Sequence, residues 1–117
     1  MPISGNYLFT VSMDVAPDRE ALFNEVYDTE HVPCLLKVPG VISVTRLVSE
    51  PLTLSIGGER RAIENEGDPK YSAIYEIESP EVLVSPQWAE AVEVGRWPEQ
   101  VRPFTSNRRH SLQKVAR

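Results

Sequence analysis

The chain has little cysteine, histidine or glycine, and each shortage excludes a class of site. Cys34 is the only cysteine among 117 residues, so no disulfide can form within the chain. The two histidines, His31 and His110, lie far apart and give no recognisable metal-ligand spacing. Gly57-Gly58 indicates a turn and not a phosphate-binding loop. The sequence therefore predicts neither a metal site nor a bound cofactor.

Long apolar runs are also missing. A membrane-spanning helix needs roughly 20 predominantly apolar residues, and no segment approaches that length. Residues 1–6 have neither the basic cluster nor the apolar stretch of a secretory signal. We therefore expect a cytoplasmic protein that does not enter a membrane.

Positive charge is in short supply, with 12 lysines and arginines against 17 acidic residues. The net charge of −5 disfavours nucleic acid as a partner. The C-terminal end is the exception, because no acidic residue follows Glu99. These basic residues fit either an edge strand protected against pairing or the anion-attracting wall of a binding site. They are Arg102, Arg108, Arg109, Lys114 and Arg117.

What the sequence does contain is a set of strand patterns. Residues 7–15 and 71–78 alternate apolar and polar side chains, as half-buried strands do. Residues 41–49 are rich in β-branched side chains, and residues 105–115 keep enough apolar positions for a last strand. Residues 51–70 contain prolines and glycines that break the alternation, which predicts a hairpin arm or a mobile flap.

Two segments have the pattern of amphipathic helices. Pro17 suits the first turn of a helix, where its fixed φ and missing N–H cost little. The apolar stripe of this helix runs to Tyr27, and Pro33 predicts that the helix ends near His31. A second helix is predicted over residues 85–97, with a serine as its N-cap.

The order of elements is strand, helix, strand, long connection, strand, helix, strand. This order predicts a single α+β domain over residues 1–117 with the ferredoxin-like βαββαβ topology. A four-stranded antiparallel sheet then carries two helices on one face and leaves the other face bare. Because a bare sheet face favours association, we expect a homodimer in which two such sheets pack together.

One stretch resembles a known family. The motif Phe-x3-Tyr-x3-His-x-Pro spans residues 23–33, and Leu-Leu and Pro-Gly-Val follow within residues 35–41. This pattern is similar to the first-helix signature of the EthD-like dimeric α+β barrel proteins. The resemblance implies the dimeric barrel fold and a pocket-facing role for His31. It leaves the reaction open, because the superfamily includes monooxygenases, isomerases, polyketide cyclases and haem-degrading enzymes.

His31 is the strongest candidate for chemistry. An imidazole changes its protonation near neutral pH, which suits proton transfer to or from a carbon acid or a phenol. Glu30 would continue the apolar stripe and face inward, where it could orient His31, and Tyr27 lies one turn earlier. The structural interpretation is the alternative: the histidine would hold the end of the helix, Glu30 would be a surface charge and Tyr27 would pack in the core.

Six more residues are candidates for ligand contact. The aromatic ones would line a pocket, although aromatic residues at such spacings usually pack in a core. The arginines would bind a carboxylate or enolate oxygen, although strand arginines usually lie at the surface. His110 alternates with Arg109, so at most one of the two is expected to face inward. The candidates are Tyr7, Tyr75, Trp88, Trp97, Arg46 and Arg109.

Two functions of different classes follow from these residues. The first is a cofactor-independent enzyme, of isomerase, cyclase or monooxygenase type, that uses His31 as general acid and base. Its substrate would be a small aromatic, lactone or polyketide-like molecule. The second is a homodimer that binds a small apolar or aromatic ligand without chemistry, for example in a stress response. A closed pocket that joins His31 to a second titratable group would favour the enzyme.

Overall fold

The structure is a computed structural model that describes residues 3–116, so the basic residue Arg117 lies outside it. Four strands form an antiparallel sheet in the spatial order β2-β5-β1-β6, and β3 and β4 form a separate pair. This order is the ferredoxin-like topology, which confirms the predicted fold class. The strands are β1 (Tyr7–Val15), β2 (Val41–Val48), β3 (Leu52–Ile56), β4 (Glu59–Ile63), β5 (Tyr71–Ile77) and β6 (Thr105–Lys114).

The two faces of the sheet differ because side chains alternate along each strand. On one face the apolar residues of β1, such as Val11 and Met13, are buried against the helices. Val11 lies opposite Ala73 of β5, so both strands contribute to the same core. On the other face small polar residues meet, and the hydroxyl oxygens of Ser12 and Ser72 are 2.8 Å apart. No helix of the described chain covers that second face.

The first helical segment runs without a break over residues 17–35. The prediction that Pro33 ends the helix near His31 was wrong, because Val32 keeps helical dihedral angles of φ −61° and ψ −49°. The Val32 N–H bonds to the Tyr27 carbonyl oxygen, five residues back, and such a wide turn accommodates a proline inside a helix. The segment contains a 3₁₀ turn (Pro17–Arg19), α1 (Glu20–Val26), a π turn (Tyr27–His31) and α2 (Val32–Leu35).

The second helical segment begins as predicted, since Ser85 Oγ accepts a hydrogen bond from Trp88 N–H at 3.2 Å. Its α-helix is shorter than predicted, because the chain leaves helical geometry before Gly95, which has φ +75°. No helix within residues 3–116 is long and apolar enough to cross a membrane. The segment contains a 3₁₀ turn (Pro80–Val84), α3 (Pro86–Ala91), a π turn (Trp97–Val101) and a second 3₁₀ turn (Arg102–Phe104).

The hairpin of β3 and β4 extends away from the sheet. The two strands pair from Leu52 opposite Ile63 to Ile56 opposite Glu59. The turn residues Gly57-Gly58 have φ values of 61° and 80°, which two-residue hairpin turns favour. The radius of gyration is 16.0 Å, whereas a compact domain of this length has about 13 Å. The hairpin is therefore a projecting arm.

Candidate functional site

A pocket of about 310 Å³ lies between the helices and the covered face of the sheet. Its volume is at the low end of the range for small-molecule sites. The strands β1, β5 and β6 supply one side, and the two helical segments supply the other. Most of the lining is aliphatic or aromatic, which suits a largely apolar ligand. The polar lining residues are Tyr27, His31, Tyr75, Arg102, Arg108 and His110.

His31 is buried in the wall of this pocket, with 6% of its surface exposed. Its ring stacks on Trp97 with a centroid distance of 4.3 Å, and it meets the edge of Tyr27 at 5.1 Å. The imidazole ring of His31 forms no hydrogen bond with any described residue, and its Nδ1 is fully enclosed. A buried polar atom without a partner costs on the order of 1–3 kcal/mol. Native structures contain few such atoms.

The surroundings of His31 favour its neutral form. Burial is the main cause, and together with the charges of Arg102 and Arg108 it lowers the pKa of His31 from 6.5 to about 4. An imidazolium would lose its hydration in the pocket and would be repelled by both guanidinium groups. At pH 7 the ring therefore has one donor nitrogen and one acceptor nitrogen.

Two tyrosines form a hydroxyl pair in the same pocket. The hydroxyl oxygens of Tyr27 and Tyr75 are 3.3 Å apart, and both residues are buried. Burial raises the pKa of both phenols above the usual value, so both are neutral at physiological pH. Within the pair one hydroxyl donates to the other, which leaves the second proton for another acceptor.

Of the nine residues proposed from the sequence for chemistry or ligand contact, five line the pocket. Their elements differ, so the pocket is assembled by the fold and not by one local motif. They are Tyr27, His31, Tyr75, Trp88 and Trp97.

Glu30 lies outside the pocket, so the expectation that it faces inward beside His31 was wrong. Its carboxylate accepts a hydrogen bond from the Arg96 backbone N–H at 2.9 Å and pairs with Arg96 Nε at 2.5 Å. The pairing lowers the pKa of Glu30. The physical reason for the misplacement is the π turn, in which each residue rotates the chain through a smaller angle about the helix axis than in an α-helix. Glu30 is thereby rotated off the stripe that α-helical spacing predicts.

Arg109 lies on the other face of the sheet and does not line this pocket. It is opposite Ser12 of β1, whose side chain points to the uncovered face. Its guanidinium pairs with Asp68 at 2.9 Å and donates to the Gly67 carbonyl oxygen at 3.1 Å. Its neighbour His110 faces the pocket, in agreement with the expectation that at most one of the two does so.

Tyr7 and Arg46 belong to the covered face but do not line the pocket. Tyr7 packs against the core at the start of β1. Arg46 pairs with Asp28 at 2.8 Å and donates to Asn24 Oδ1 at 2.8 Å. Its guanidinium carbon lies 4.6 Å from the centroid of the Tyr27 ring. Arg46 therefore contacts a pocket residue from outside the pocket.

Two arginines of the lining were not predicted as site residues. Arg102 follows the second π turn, and its guanidinium binds Glu93 at 2.8 Å and the Val92 carbonyl oxygen at 2.7 Å. Arg108 lies on β6. The signal that could have identified both is the basic C-terminal end without acidic residues, for which one interpretation was an anion-attracting wall.

Comparisons with known proteins define the fold of this chain. No protein-family model matches the sequence, and no curated protein matches it. One similar solved structure is an EthD (ethyl tert-butyl ether D) family protein from Bacillus halodurans C-125. The two chains are 11% identical with a TM-score of 0.57, over 94% of this chain and 99% of that one.

A second similar structure is the haem degrader MhuD from Mycobacterium tuberculosis, with two haems bound in its active site. It is 12% identical with a TM-score of 0.57, over 93% of this chain and 94% of that one. This chain therefore shares its ferredoxin-like α+β fold with an EthD family protein, as its first-helix motif implied. Identities this low show the fold alone, because one fold supports many functions.

Proposed function

We propose that this protein is a homodimeric, cofactor-independent enzyme that uses His31 for proton transfer on a small, largely apolar substrate. The observation that carries the proposal is the neutral, buried His31, which lines the pocket without a hydrogen-bond partner among the described residues. A histidine with only a structural role would normally have its buried nitrogens bonded. The substrate would be a small aromatic, lactone or polyketide-like molecule.

His31 would act first as a general base. Because Nδ1 is enclosed, Nε2 is the nitrogen that can take a proton from a carbon acid or phenol of the substrate. The resulting substrate anion would offset the positive charges of Arg102 and Arg108. Since an opposite charge favours the imidazolium, the pKa of His31 would rise as the anion forms. The proton would then return to another atom of the substrate, which completes an isomerisation or a cyclisation.

The Tyr27–Tyr75 pair would stabilise the developing charge. A hydroxyl proton that the pair leaves free can be donated to an enolate or phenolate oxygen. In a pocket that excludes water such a preorganised donor contributes more than it does in solution. The indole rings of Trp88 and Trp97 would hold the apolar part of the substrate.

Haem fits this pocket less well than a smaller molecule does. The pocket measures about 310 Å³, whereas MhuD accommodates two haems in its active site. The His31 ring lies flat on Trp97 with an interplanar angle of 20°. Residues 3–116 hold no group of three or more His, Cys, Asp or Glu side chains placed to bind a metal ion. A compact organic substrate is the better match.

Ligand binding provides the first test. Both tryptophans of the chain line the pocket, so tryptophan fluorescence reports on this site. We expect phenols and aromatic lactones to change the fluorescence and to raise the melting temperature, because they remove apolar surface from water. Aliphatic polyols of similar size serve as the control. An equal response to both sets of molecules would contradict a pocket for apolar ligands.

The homodimer has its own test. The uncovered sheet face mixes small polar residues with apolar ones such as Leu47, which is 45% exposed, and a partner sheet would bury them. Sedimentation at micromolar concentration is expected to show twice the 13.2 kDa mass of one chain. A stable species of 13.2 kDa under these conditions would contradict the dimer.

A further inference from the structure

Arg108 differs from the other arginines near the pocket because it has no counter-ion. Arg102 binds both carboxylate oxygens of Glu93, at 3.0 and 2.8 Å, and Arg109 pairs with Asp68 at 2.9 Å. Across residues 3–116, no ion pair or hydrogen bond to the side chain of Arg108 is present. Its side chain is exposed to solvent and lines the mouth of the pocket. An uncompensated cation therefore lies at the entrance of a mostly apolar pocket.

The charge of Arg108 acts on several polar groups of the lining. After burial, and for His31 also after Arg102, it contributes to the lowered pKa of both His31 and His110. Burial raises the pKa of the Tyr27 phenol, and the charge of Arg108 acts in the opposite direction. These residues belong to a helical segment and to β6, so the field of Arg108 extends across the pocket. A positive potential of this kind, in a chain of net charge −5, attracts anions to one place.

A change of register between β1 and β6 determines which arginine faces the pocket. Arg109 lies opposite Ser12, whereas Ser106 lies opposite Asp14, so β6 has one extra residue between these two pairs. Strand alternation therefore changes phase at the bulge. If the alternation that begins at Ser106 continued along β6 without a bulge, Arg109 would face the covered side of the sheet. With the bulge, Arg108 takes that place.

Asn107 holds the bulge. Its backbone is left-handed, with φ +52°, a conformation that asparagine adopts more readily than most residues. Its side-chain amide donates to Asp14 Oδ2 at 3.1 Å and to the Gly67 carbonyl oxygen at 2.7 Å. Asn107 thereby joins β6 to β1 and to the connection between β4 and β5, at the point where Arg108 is directed towards the pocket.

We infer that Arg108 binds a carboxylate of the substrate, so that the molecule that enters this pocket is a small aromatic or lactone acid in its anionic form. The inference rests on the proposed function and specifies its substrate class. A planar guanidinium can donate two parallel hydrogen bonds to a carboxylate. The apolar part of the acid then lies against Trp88 and Trp97, within the same pocket as His31.

The test uses two probes that differ in charge, phenylacetate and phenylacetamide. Their binding is followed through the fluorescence of the two tryptophans, both of which line the pocket. Arg108→Gln is expected to weaken the binding of phenylacetate by roughly 10- to 100-fold, the loss that a charge-assisted hydrogen bond accounts for. Binding of phenylacetamide is expected to stay weak in both proteins. Arg108→Lys keeps the charge without the paired donors and should retain part of the affinity.

Arg109→Gln is the matched control, because it removes the same charge from the next residue on the opposite face. It should leave the affinity for phenylacetate nearly unchanged. Equal affinities of the wild type for the two probes, no binding of phenylacetate, or equal losses in both variants would overturn the inference. None of these outcomes concerns proton transfer, which His31→Ala tests separately. A His31→Ala variant that binds phenylacetate normally would leave the role of Arg108 intact even if no turnover were found.

Discussion

Between pH 7 and pH 4 the wild-type protein is expected to lose about 3 kcal/mol more stability than a His31→Gln variant. The folded protein binds a proton at His31 only near pH 4, whereas the unfolded chain binds one near the ordinary value of 6.5. Since the unfolded state takes up the proton first, acid favours unfolding through this window. The contribution of His31 is fully present above pH 6.5 and is lost as the pH falls towards 4.

Urea denaturation at several pH values, followed by circular dichroism, measures this difference. Titration of the carboxylates affects both proteins alike, so the gap between the two curves isolates the imidazole. His110→Gln is the control, because His110 is exposed and a smaller change is expected there. Parallel curves for the wild type and His31→Gln would show that the imidazole titrates alike in both states. His31 would then not be held neutral in a pocket.

Replacement of His31 by alanine is expected to lower turnover by roughly 10²–10⁴-fold, the usual contribution of a positioned general base. The reaction can be followed as exchange of a substrate C–H proton with deuterium from the solvent, by NMR. The wild-type kcat/KM should fall only below about pH 4 and stay level towards pH 7, because the base must be unprotonated and its pKa is about 4.

Glu30→Gln is the matched control for this experiment. Glu30 precedes His31 in the chain but pairs with Arg96 outside the pocket. Its replacement is expected to cost some stability and to leave turnover close to that of the wild type. If both variants lost turnover equally, the loss would reflect the helix and not the imidazole. Binding of ligands by the wild type without any exchange would favour the non-catalytic ligand-binding dimer.

Much of the fold could be predicted because strand alternation is a local consequence of burial on one face. The first strand is an example: the alternation over residues 7–15 coincides with β1 (Tyr7–Val15). The end of the first helix could not be read in the same way. The rule that a residue before proline avoids helical geometry is a local preference. Here the packing of buried Phe23, Val26 and Leu35 on one core outweighs it.

The candidate site likewise combines residues that local spacing could predict with residues that it could not. Tyr27 and His31 reach the pocket, four residues apart on one helical segment, as their spacing indicated. Glu30 was misplaced because its expected position follows from counting along a regular helix, and alternation alone did not show which of Arg109 and His110 faces the pocket. A π turn changes the count on the helix, and a β-bulge changes it on β6. Both irregularities depend on contacts distant in sequence, such as that between Asn107 and Asp14.

The projecting arm makes this protein a convenient object for labelling. An added Cβ at Gly57 or Gly58 would meet nothing within 4 Å, but the left-handed backbone of both residues disfavours a side chain there. A label carried on a short inserted segment avoids this strain, because exposed turn tips tolerate insertions well. A spin label or a short affinity tag at this tip would leave the sheet, the helices and the pocket undisturbed. In a two-fold assembly each arm would carry one label, so a single distance between labels would describe how the two copies are arranged.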